Sequence, residues 1–347
     1  MKVGIVGIGF MGMIHYLTYQ KVRGAQVAAI CETIPKRLRG DWRDIKGNFG
    51  PQGTMMDLSG VSTYDNVDAL LADESIDVVD ITLPPGLHAP IAVKALQAGK
   101  HVFCEKPMSL TERDCKKMVA AAEKSGRLLM IGHVLPFFPE YAKAYELIQS
   151  GKYGQLLGGS FKRVISDPAW LPDYYKPDRV GGPMLDLHIH DAHYIRLLFG
   201  MPTGLTSQGR MRGDVVEYWN SLFRFSNEEL SVSATSGVIR QQGRSFTHGF
   251  EIHLEKATLA YEFAVIGDQP TLMLPLTVFD DKGKATNPKI GDGDPLNAFE
   301  AELKAVKAGL ASGNPSPILS CDLARDAITL CHKQTRAVQT GRPVRIL

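Results

Sequence analysis

The sequence predicts two domains of the α/β and α+β classes. A doubly wound parallel sheet comes first, and a domain built on an open, mostly antiparallel sheet follows. Strand and helix patterns alternate from residue 2 to about 132, which is typical of parallel strands joined by helical crossovers. After residue 135 the composition changes, and alternating apolar and polar residues predict a sheet with one exposed face. We therefore expect domains at residues 1–133 and 134–347.

Length, charge and cysteine content limit the classes of function. The 347 residues suffice for two cores, and a formal net charge of +2 gives no electrostatic reason to bind nucleic acid or an anionic membrane. No segment approaches the roughly 20 apolar residues that span a bilayer. Glycines interrupt the apolar start, so no signal peptide is expected. The odd number of cysteines, five, without a CxxC pair predicts reduced thiols in a cytoplasmic protein.

Six short apolar segments in the first half predict the parallel strands. They are residues 2–6, 26–31, 61–64, 78–83, 101–105 and 128–132. Helices are predicted after Gly12 and over residues 67–71, 90–98 and 111–126, and the last of these has a capping residue at Thr111 and a stop at Gly126. Residues 40–60 are rich in glycine and proline and predict an irregular excursion. Two βαβ halves of this kind bind a dinucleotide at the carboxyl ends of their strands.

A glycine-rich turn follows the first strand and predicts a Rossmann-type dinucleotide site. In Gly7-x-Gly9-x-x-Gly12, the first glycine can make the tight turn and the second lets a pyrophosphate approach the backbone. The third lets the helix pack close to the strand, and the helix N-terminus offers free N–H groups to phosphate. Glu32 ends the second strand, 20 residues past Gly12, where a carboxylate holds ribose hydroxyls and repels a 2′-phosphate.

We therefore predict that NAD is the cofactor, although Lys36, Arg37 and Arg39 could instead serve NADP. Residues just past the strand ends are the predicted cofactor contacts. They are Gly7, Gly9, Phe10, Met11, Gly12, Glu32, Leu83, Pro84, His88, Glu105, Lys106 and Pro107.

The second half predicts helices at both ends of a run of strands. Strands are predicted at 156–166, 221–226, 229–235, 250–255, 258–263 and 272–279, with hairpins around Asn227-Glu228 and Lys256-Ala257. Helices are predicted over residues 139–150 and 184–199, and apolar stripes predict two more over 296–310 and 323–338. Residues 167–183 form a predicted loop rich in proline, glycine and aromatic residues.

Two groups of residues could carry chemistry. Lys106, at a strand end, could donate a hydrogen bond to a substrate oxygen or be an ordinary surface lysine. On one helix over residues 184–199, Asp186, His190 and His193 would share a face. Histidine titrates near neutral pH and can accept a hydroxyl proton, and a carboxylate can orient it. A solvated polar face or a buried core histidine is the alternative.

These motifs resemble those of the Gfo/Idh/MocA oxidoreductases, a family that includes glucose–fructose oxidoreductase and inositol dehydrogenase. The resemblance rests on the glycine turn, Glu32, Glu105-Lys106-Pro107, and Gly181-Gly182 ahead of Asp186 and His190. It implies a catalytic set of Lys106, Asp186 and His190 with His190 as proton acceptor, a Lys-Pro bond that is often cis, and sugar, polyol or related keto substrates. It also implies that the open sheet of the second domain forms dimer or tetramer contacts.

The sequence departs from the family pattern at three places. His188 stands where glycine is common, His193 stands where aspartate is common, and the excursion at 40–60 is longer than usual. The two histidines suggest a bulkier and more basic substrate pocket. The candidate substrate contacts are His133, Trp170, Tyr174, His188 and His193.

Three other functions fit parts of the pattern. His188-x-His190 is similar to the HxH of metal-dependent hydrolases, but those carry it early in a barrel, and we predict no metal. An enzyme that holds NAD could use transient oxidation to cleave a glycoside or epimerise a sugar. A sugar sensor without catalysis would have no need for Lys106, Asp186 and His190. Hydride transfer between NAD and a secondary alcohol or ketone of a sugar, polyol or related cyclic compound is the function the sequence favours.

Overall fold

The structure is a computed structural model and describes residues 1–47, 49–168, 171, 173–291 and 294–346. The chain divides into two compact units, each made of two segments. Unit 1 comprises Met1–Phe138 and Gly293–Arg325, and unit 2 comprises Pro139–Asp292 and Asp326–Leu347. The sequence predicted a single boundary at residues 133/134. The observed division differs because the apolar stripe over 296–310 predicts a helix but does not show which of the two sheets that helix covers.

The first segment of unit 1 alternates strands and helices as the sequence predicts. Its elements are β1 (Lys2–Val6), α1 (Phe10–Tyr19), β2 (Gln26–Cys31), α2 (Pro35–Leu38), β3 (Ser62–Tyr64), α3 (Val67–Ala72), β4 (Val78–Ile81), α4 (His88–Gln97), β5 (His101–Glu105), α5 (Glu112–Ser125) and β6 (Leu129–Gly132). All six predicted strands are confirmed. The strands are parallel in the order β3-β2-β1-β4-β5-β6, which is that of a doubly wound dinucleotide fold.

Local signals explain the ends of these elements. Thr111 caps α5 by accepting a hydrogen bond from the Asp114 backbone N–H, and Gly126 ends that helix with φ of 64°. Apart from the exposed edge strand β3, the strands of the sheet are buried on both faces, so their sequences are nearly continuous apolar runs. Residues 41–47 and 49–60 pack onto this unit through Trp42, which is fully buried and meets the ring of Tyr16 edge-on at 4.9 Å.

Unit 2 is built on a long, open sheet. Its elements up to residue 291 are α6 (Pro139–Gln149), β7 (Leu156–Ser166), α7 (Gly182–Asp186), α8 (Ile189–Phe199), β8 (Gly204–Arg212), β9 (Val215–Arg224), β10 (Ser231–Ile239), β11 (Arg244–Leu254), β12 (Ala257–Ile266), β13 (Gln269–Asp280) and β14 (Ala285–Thr286). Both predicted hairpins are confirmed, since β9 pairs with β10 and β11 with β12 in antiparallel fashion. The sequence missed β8, because most of its side chains are exposed and it lacks an apolar alternation.

The C-terminal elements are α9 (Pro295–Ser312), α10 (Cys321–Thr340) and β15 (Val344–Arg345). Helix α9 belongs to unit 1, and α10 belongs to unit 1 up to Arg325 and to unit 2 from Asp326. Strand β15 completes the sheet of unit 2, whose order in the described residues is β14-β13-β12-β11-β7-β10-β9-β8-β15. Every pair in it is antiparallel except β7 with β10, so the predicted mostly antiparallel sheet is confirmed.

The predicted single helix over residues 184–199 is wrong, because α7 and α8 are separated by Leu187 and His188. The backbone N–H groups of Leu187 and His188 both donate to the carbonyl of Pro183, at 3.1 and 3.0 Å. The bond from His188 reaches back five residues instead of the four of a regular α-helix. It therefore widens the turn and interrupts the helix.

Candidate active-site residues

The carboxyl ends of the parallel strands in unit 1 lie at one edge of the sheet. Val6 is level with both Cys31 and Ile81, and Ile81 is level with Cys104. The glycine turn, Glu32, Leu83 and Lys106 therefore all leave the sheet at the same edge, where dinucleotides bind in folds of this type.

The three glycines of the first turn differ in the space around them. A Cβ added at Gly9 would meet no heavy atom within 4 Å, whereas one at Gly12 would lie 2.1 Å from the Gly7 carbonyl oxygen. Gly7 has φ of 97°, which favours glycine. Helix α1 has no side-chain cap and no acidic residue in its first turn. The space at Gly9 and the uncapped N-terminus fit a pyrophosphate, and Gly12 permits close packing of strand and helix.

Glu32 is buried at the end of β2, and local donors already hold its carboxylate. Oε2 accepts from the Ile8 N–H at 2.9 Å, and Oε1 accepts from the N–H groups of Thr33 and Ile34 at 2.6 and 3.0 Å. These bonds fix the carboxylate beside the glycine turn. Arg37 donates to the Ile8 carbonyl and to Asp44, both at 2.9 Å, so its guanidinium is engaged locally.

The segment after β5 is held by two buried side chains. The Lys106–Pro107 peptide is cis, as the family resemblance implies. The Lys106 N–H donates to Glu105 Oε2 at 3.1 Å. His88 is fully buried, with Nδ1 2.8 Å from the Pro107 carbonyl oxygen and Nε2 2.7 Å from that of Leu83. Although burial lowers its pKa, His88 links the two strand ends that carry Leu83 and Lys106. It acts on their backbone and has no exposed surface for a cofactor.

A buried polar cluster, which the sequence analysis missed, lies behind Glu105. His15 of α1 places Nδ1 2.9 Å from Asp80 Oδ2 and Nε2 3.1 Å from Glu105 Oε1. Glu302 of α9 is fully buried nearby. A charged residue inside an apolar run was the available signal, as in Val78-Val79-Asp80-Ile81, but nothing in the sequence joins it to His15.

In unit 2, Asp186 and His190 lie on either side of the helix break. Asp186 is the last residue of α7, His190 is the second residue of α8, and both are half-buried. The expected spacing along one regular helix is therefore replaced by two helix ends. Tyr174 is buried, and its pKa is raised by burial and then by the carboxylate of Asp186.

His188 lies in the core of unit 2. Its Nε2 is 3.0 Å from Gln334 Nε2, and its ring meets the ring of Trp219 edge-on at 5.3 Å. Gln334 Oε1 accepts from Ser221, whose hydroxyl lies 2.6 Å from that of Ser207. Because the amide of Gln334 can only donate to the ring, Nε2 of His188 must accept, and the imidazole is neutral. Burial lowers the pKa of His188 to about 4, in agreement.

Arg163 of β7 and Asp191 of α8 form a buried ion pair that the sequence did not predict. Two hydrogen bonds join them, from Nε at 2.8 Å and from a terminal nitrogen at 3.0 Å. Both side chains are almost fully buried, at 5% and 2% exposure. The pair ties the first turn of α8, which carries His190, to the sheet of unit 2.

The structure does not support most of the candidate substrate contacts. His133, Tyr174, His188 and His193 have at most 1% of their surface exposed, and Trp170 lies outside the described residues. His188 and His193 therefore belong to the packed interior, and the inference of a more basic pocket loses its basis. Exposure could not be predicted here, because residues 186–193 mix charged, polar and apolar residues without a clear pattern.

Potential metal ligands lie close together in unit 1. In the part of the chain that the structure describes, one group of ligand atoms lies within 4.8 Å of one another, and it consists of His15, Glu105 and Glu302. The histidines of residues 186–193 are not part of it. No described helix is both long and apolar enough to cross a bilayer.

Two family models match the chain. Residues 1–133 match the oxidoreductase family with an NAD-binding Rossmann fold, and residues 141–260 match the GFO/IDH/MocA C-terminal domain. Among curated relatives, a 1-carboxy-3-chloro-3,4-dihydroxycyclohexa-1,5-diene dehydrogenase from Comamonas testosteroni is 31% identical over 69% of this chain and 55% of its own length. Inositol 2-dehydrogenase from Salmonella typhimurium is 33% identical over 52% of this chain and 50% of its own. The chain thus spans about half the length of these relatives.

Solved structures share the fold over nearly the whole chain. An oxidoreductase from Agrobacterium radiobacter in complex with NAD+, L-tartaric acid and magnesium has a TM-score of 0.81 at 20% identity, covering 99% of this chain and 98% of its own. Scyllo-inositol dehydrogenase from Lactobacillus casei with NAD(H) and scyllo-inositol has a TM-score of 0.76 at 21% identity, with the same coverage of both chains. With both of its domain models matched and its Rossmann and antiparallel sheets observed, the chain belongs to the Gfo/Idh/MocA family of oxidoreductases.

Proposed function

We propose that this protein transfers a hydride between NAD and a secondary alcohol or ketone of a sugar, polyol or related cyclic substrate. The observation that carries the proposal is the carboxyl edge of the unit 1 sheet. There an open glycine turn, a fixed acidic residue and Lys106 leave the sheet together. The relatives named for inositol and cyclic diol dehydrogenation support the choice of substrate class.

NAD is the proposed cofactor, in preference to NADP. The Glu32 carboxylate lies at the end of β2 and would repel a 2′-phosphate, and Arg37 is engaged with Ile8 and Asp44. When bound, the nicotinamide would accept or donate the hydride. Tighter binding of NADPH than of NADH in a fluorescence titration would contradict this assignment.

Three side chains are proposed to handle the substrate and its proton. Lys106, half-buried after β5, would donate a hydrogen bond to the reacting oxygen. His190, half-buried in α8, would accept the hydroxyl proton during oxidation, and Asp186 would orient it. Because only a neutral imidazole accepts a proton, the oxidation rate should fall as the pH drops through the range where imidazole titrates.

The direct test is NADH formation against a panel of sugars, polyols and cyclic diols. Lys106→Ala and His190→Ala should each lower turnover roughly 10²–10⁴-fold while NADH still binds. Asp186→Asn should cost less, since it weakens the orienting group and leaves the base. Lys117→Ala and His253→Ala are matched controls on exposed or half-buried positions and should turn over like the wild type.

The outcomes separate the alternatives. Near wild-type turnover with an unchanged pH profile in His190→Ala would move the proton acceptor elsewhere, with Lys106 as the first residue to consider. Release of a sugar without net NADH would instead indicate glycoside cleavage through transient oxidation.

Self-association and location are also proposed. Large apolar side chains are exposed on two strands of the unit 2 sheet, namely Leu222 on β9 and Leu272, Met273 and Phe279 on β13. Exposed apolar groups of this kind favour a homodimer or homotetramer formed through the sheet. The five cysteines are all free thiols, which is consistent with a cytoplasmic protein. Analytical ultracentrifugation of the wild type and of Leu272→Lys would test the association.

A further inference from the structure

The cluster formed by His15, Asp80, Glu105 and Glu302 has no part in the chemistry proposed above. Its members come from helix α1, strands β4 and β5 and helix α9, all within unit 1. His15, Asp80 and Glu302 have no exposed surface, and Glu105 has 6%. Ionisable groups buried to this degree are costly unless they are paired or neutral, so their arrangement requires a reason.

Hydrogen bonds link Asp80 to the Lys106 backbone through His15 and Glu105. Both ring nitrogens of His15 face carboxylate oxygens, at 2.9 and 3.1 Å, and an imidazolium that donates from both nitrogens satisfies both contacts. Glu105 therefore receives the His15 N–H on Oε1 and the Lys106 backbone N–H on Oε2, at 3.1 Å. One charged ring thus determines the orientation of the carboxylate that holds the backbone of Lys106.

The charges agree with this arrangement. Burial alone would lower the pKa of His15, but Asp80 and Glu105 outweigh it and hold the pKa well above its ordinary value. Burial raises the pKa of Glu302, and Glu105 raises it further, which favours the neutral acid form of Glu302. The other titratable groups facing the cluster are Tyr19 and Cys104, whose pKa values burial also raises.

We propose that His15, supported by Asp80 and Glu302, is a positioning residue for the strand end that carries Lys106. The imidazolium keeps the Glu105 carboxylate turned toward the Lys106 N–H, while His88 holds the carbonyl of Pro107 from the other side. Glu302, in its neutral acid form, adds no third negative charge to those of Asp80 and Glu105. This inference rests on the proposed role of Lys106.

A metal ion is the competing explanation for the cluster. Ligand atoms of His15, Glu105 and Glu302 lie within 4.8 Å of one another. A metal ion would need the lone pair of His15 Nε2. In the proposed arrangement that nitrogen carries a proton and donates it to Glu105, so it cannot bind a metal ion. Metal analysis of the purified wild type decides between the two, since one bound ion per chain would overturn the proposal.

The first test is His15→Asn. The shorter asparagine side chain has a single NH2 group and can reach only one of the two carboxylates. We expect turnover to fall about 10²-fold, the cost of misplacing a catalytic group by about 1 Å, with the KM for NAD changed less than threefold. Hydrogen exchange at the Lys106 amide should become at least tenfold faster. Tyr16→Phe is the matched control, because Tyr16 follows His15 on α1, is also buried, and its hydroxyl donates to the Asp57 carbonyl, outside the cluster. It should leave both measurements unchanged.

Asp80→Asn is the second test, and it keeps the acceptor for His15 while removing the charge. His15 should then lose its proton at a lower pH, so turnover should be near wild type at pH 6 and should decline at higher pH, where the wild type stays active. Wild-type turnover, pH profile and Lys106 exchange in both variants would overturn the proposal. The exchange measurement needs no substrate, so it tests the positioning of Lys106 even if the proposed reaction is wrong.

Discussion

His188 should make unit 2 less stable in acid by an amount that the structure allows us to calculate. In the folded protein its pKa is lowered from 6.5 to about 4, because burial disfavours the charged ring more than the carboxylate of Asp191 favours it. In the unfolded chain the imidazole titrates normally. Between about pH 6.5 and pH 4 the unfolded state therefore binds more protons, and the free energy of unfolding falls as the pH falls. The difference of about 2.5 units at about 1.4 kcal/mol each corresponds to ~3 kcal/mol.

The experiment compares the wild type with His188→Gln, whose amide oxygen can still accept from Gln334 but which does not titrate. Urea unfolding would be followed by circular dichroism at several pH values from 4.5 to 8. Between pH 7.5 and pH 5 the wild type should lose about 2 kcal/mol more than the variant. His88 and His248, whose pKa values are also lowered by burial, contribute equally to both proteins. Parallel curves for the two proteins would refute the neutral, buried assignment of His188.

Three further predictions concern packing and the glycine turn. Asp191→Ala should lower the free energy of unfolding by about 3–5 kcal/mol, because it leaves a buried guanidinium unpaired, whereas Glu146→Ala at an exposed ion pair should cost about 0–1 kcal/mol in the same urea assay. Gly12→Ala should destabilise unit 1, since its Cβ would overlap a backbone oxygen, while Gly9→Ala should fold normally and bind NADH more weakly in a fluorescence titration. His193→Ala should lower the melting temperature and leave the substrate KM unchanged, because His193 is fully buried; a changed KM at normal stability would restore it as a substrate contact.

Unit 1 was predictable from the sequence because its signals are local. Most of its strands are short apolar runs, and some of its helices begin or end at a residue whose backbone preference is strong, such as Thr111 and Gly126. The glycine turn and Glu32 are separated by one crossover, so their spacing alone places them at one edge of the sheet. The prediction of the parallel sheet and its cofactor edge needed no contact between distant parts of the chain.

The features that were missed depend on partners far apart in the sequence. Asp80 is visible as a charge in an apolar strand, but its partner His15 lies 65 positions earlier. Arg163 and Asp191 are 28 positions apart, on a strand and a helix. The helix break at Leu187 and His188 depends on a shared carbonyl, which residue type alone does not reveal.

His188 shows how such distant partners change the interpretation of a substitution. A histidine where other family members have glycine suggests a new charge for the substrate, although on one regular helix His188 would point away from the face of Asp186. The structure supplies a partner 146 positions away, and the chain of donors from Ser207 through Ser221 to Gln334 ends on the one ring nitrogen that must stay unprotonated. A histidine held neutral cannot attract an acidic substrate. For the proposed reaction, substrate contacts should therefore be sought among exposed or half-buried side chains, not among the buried histidines.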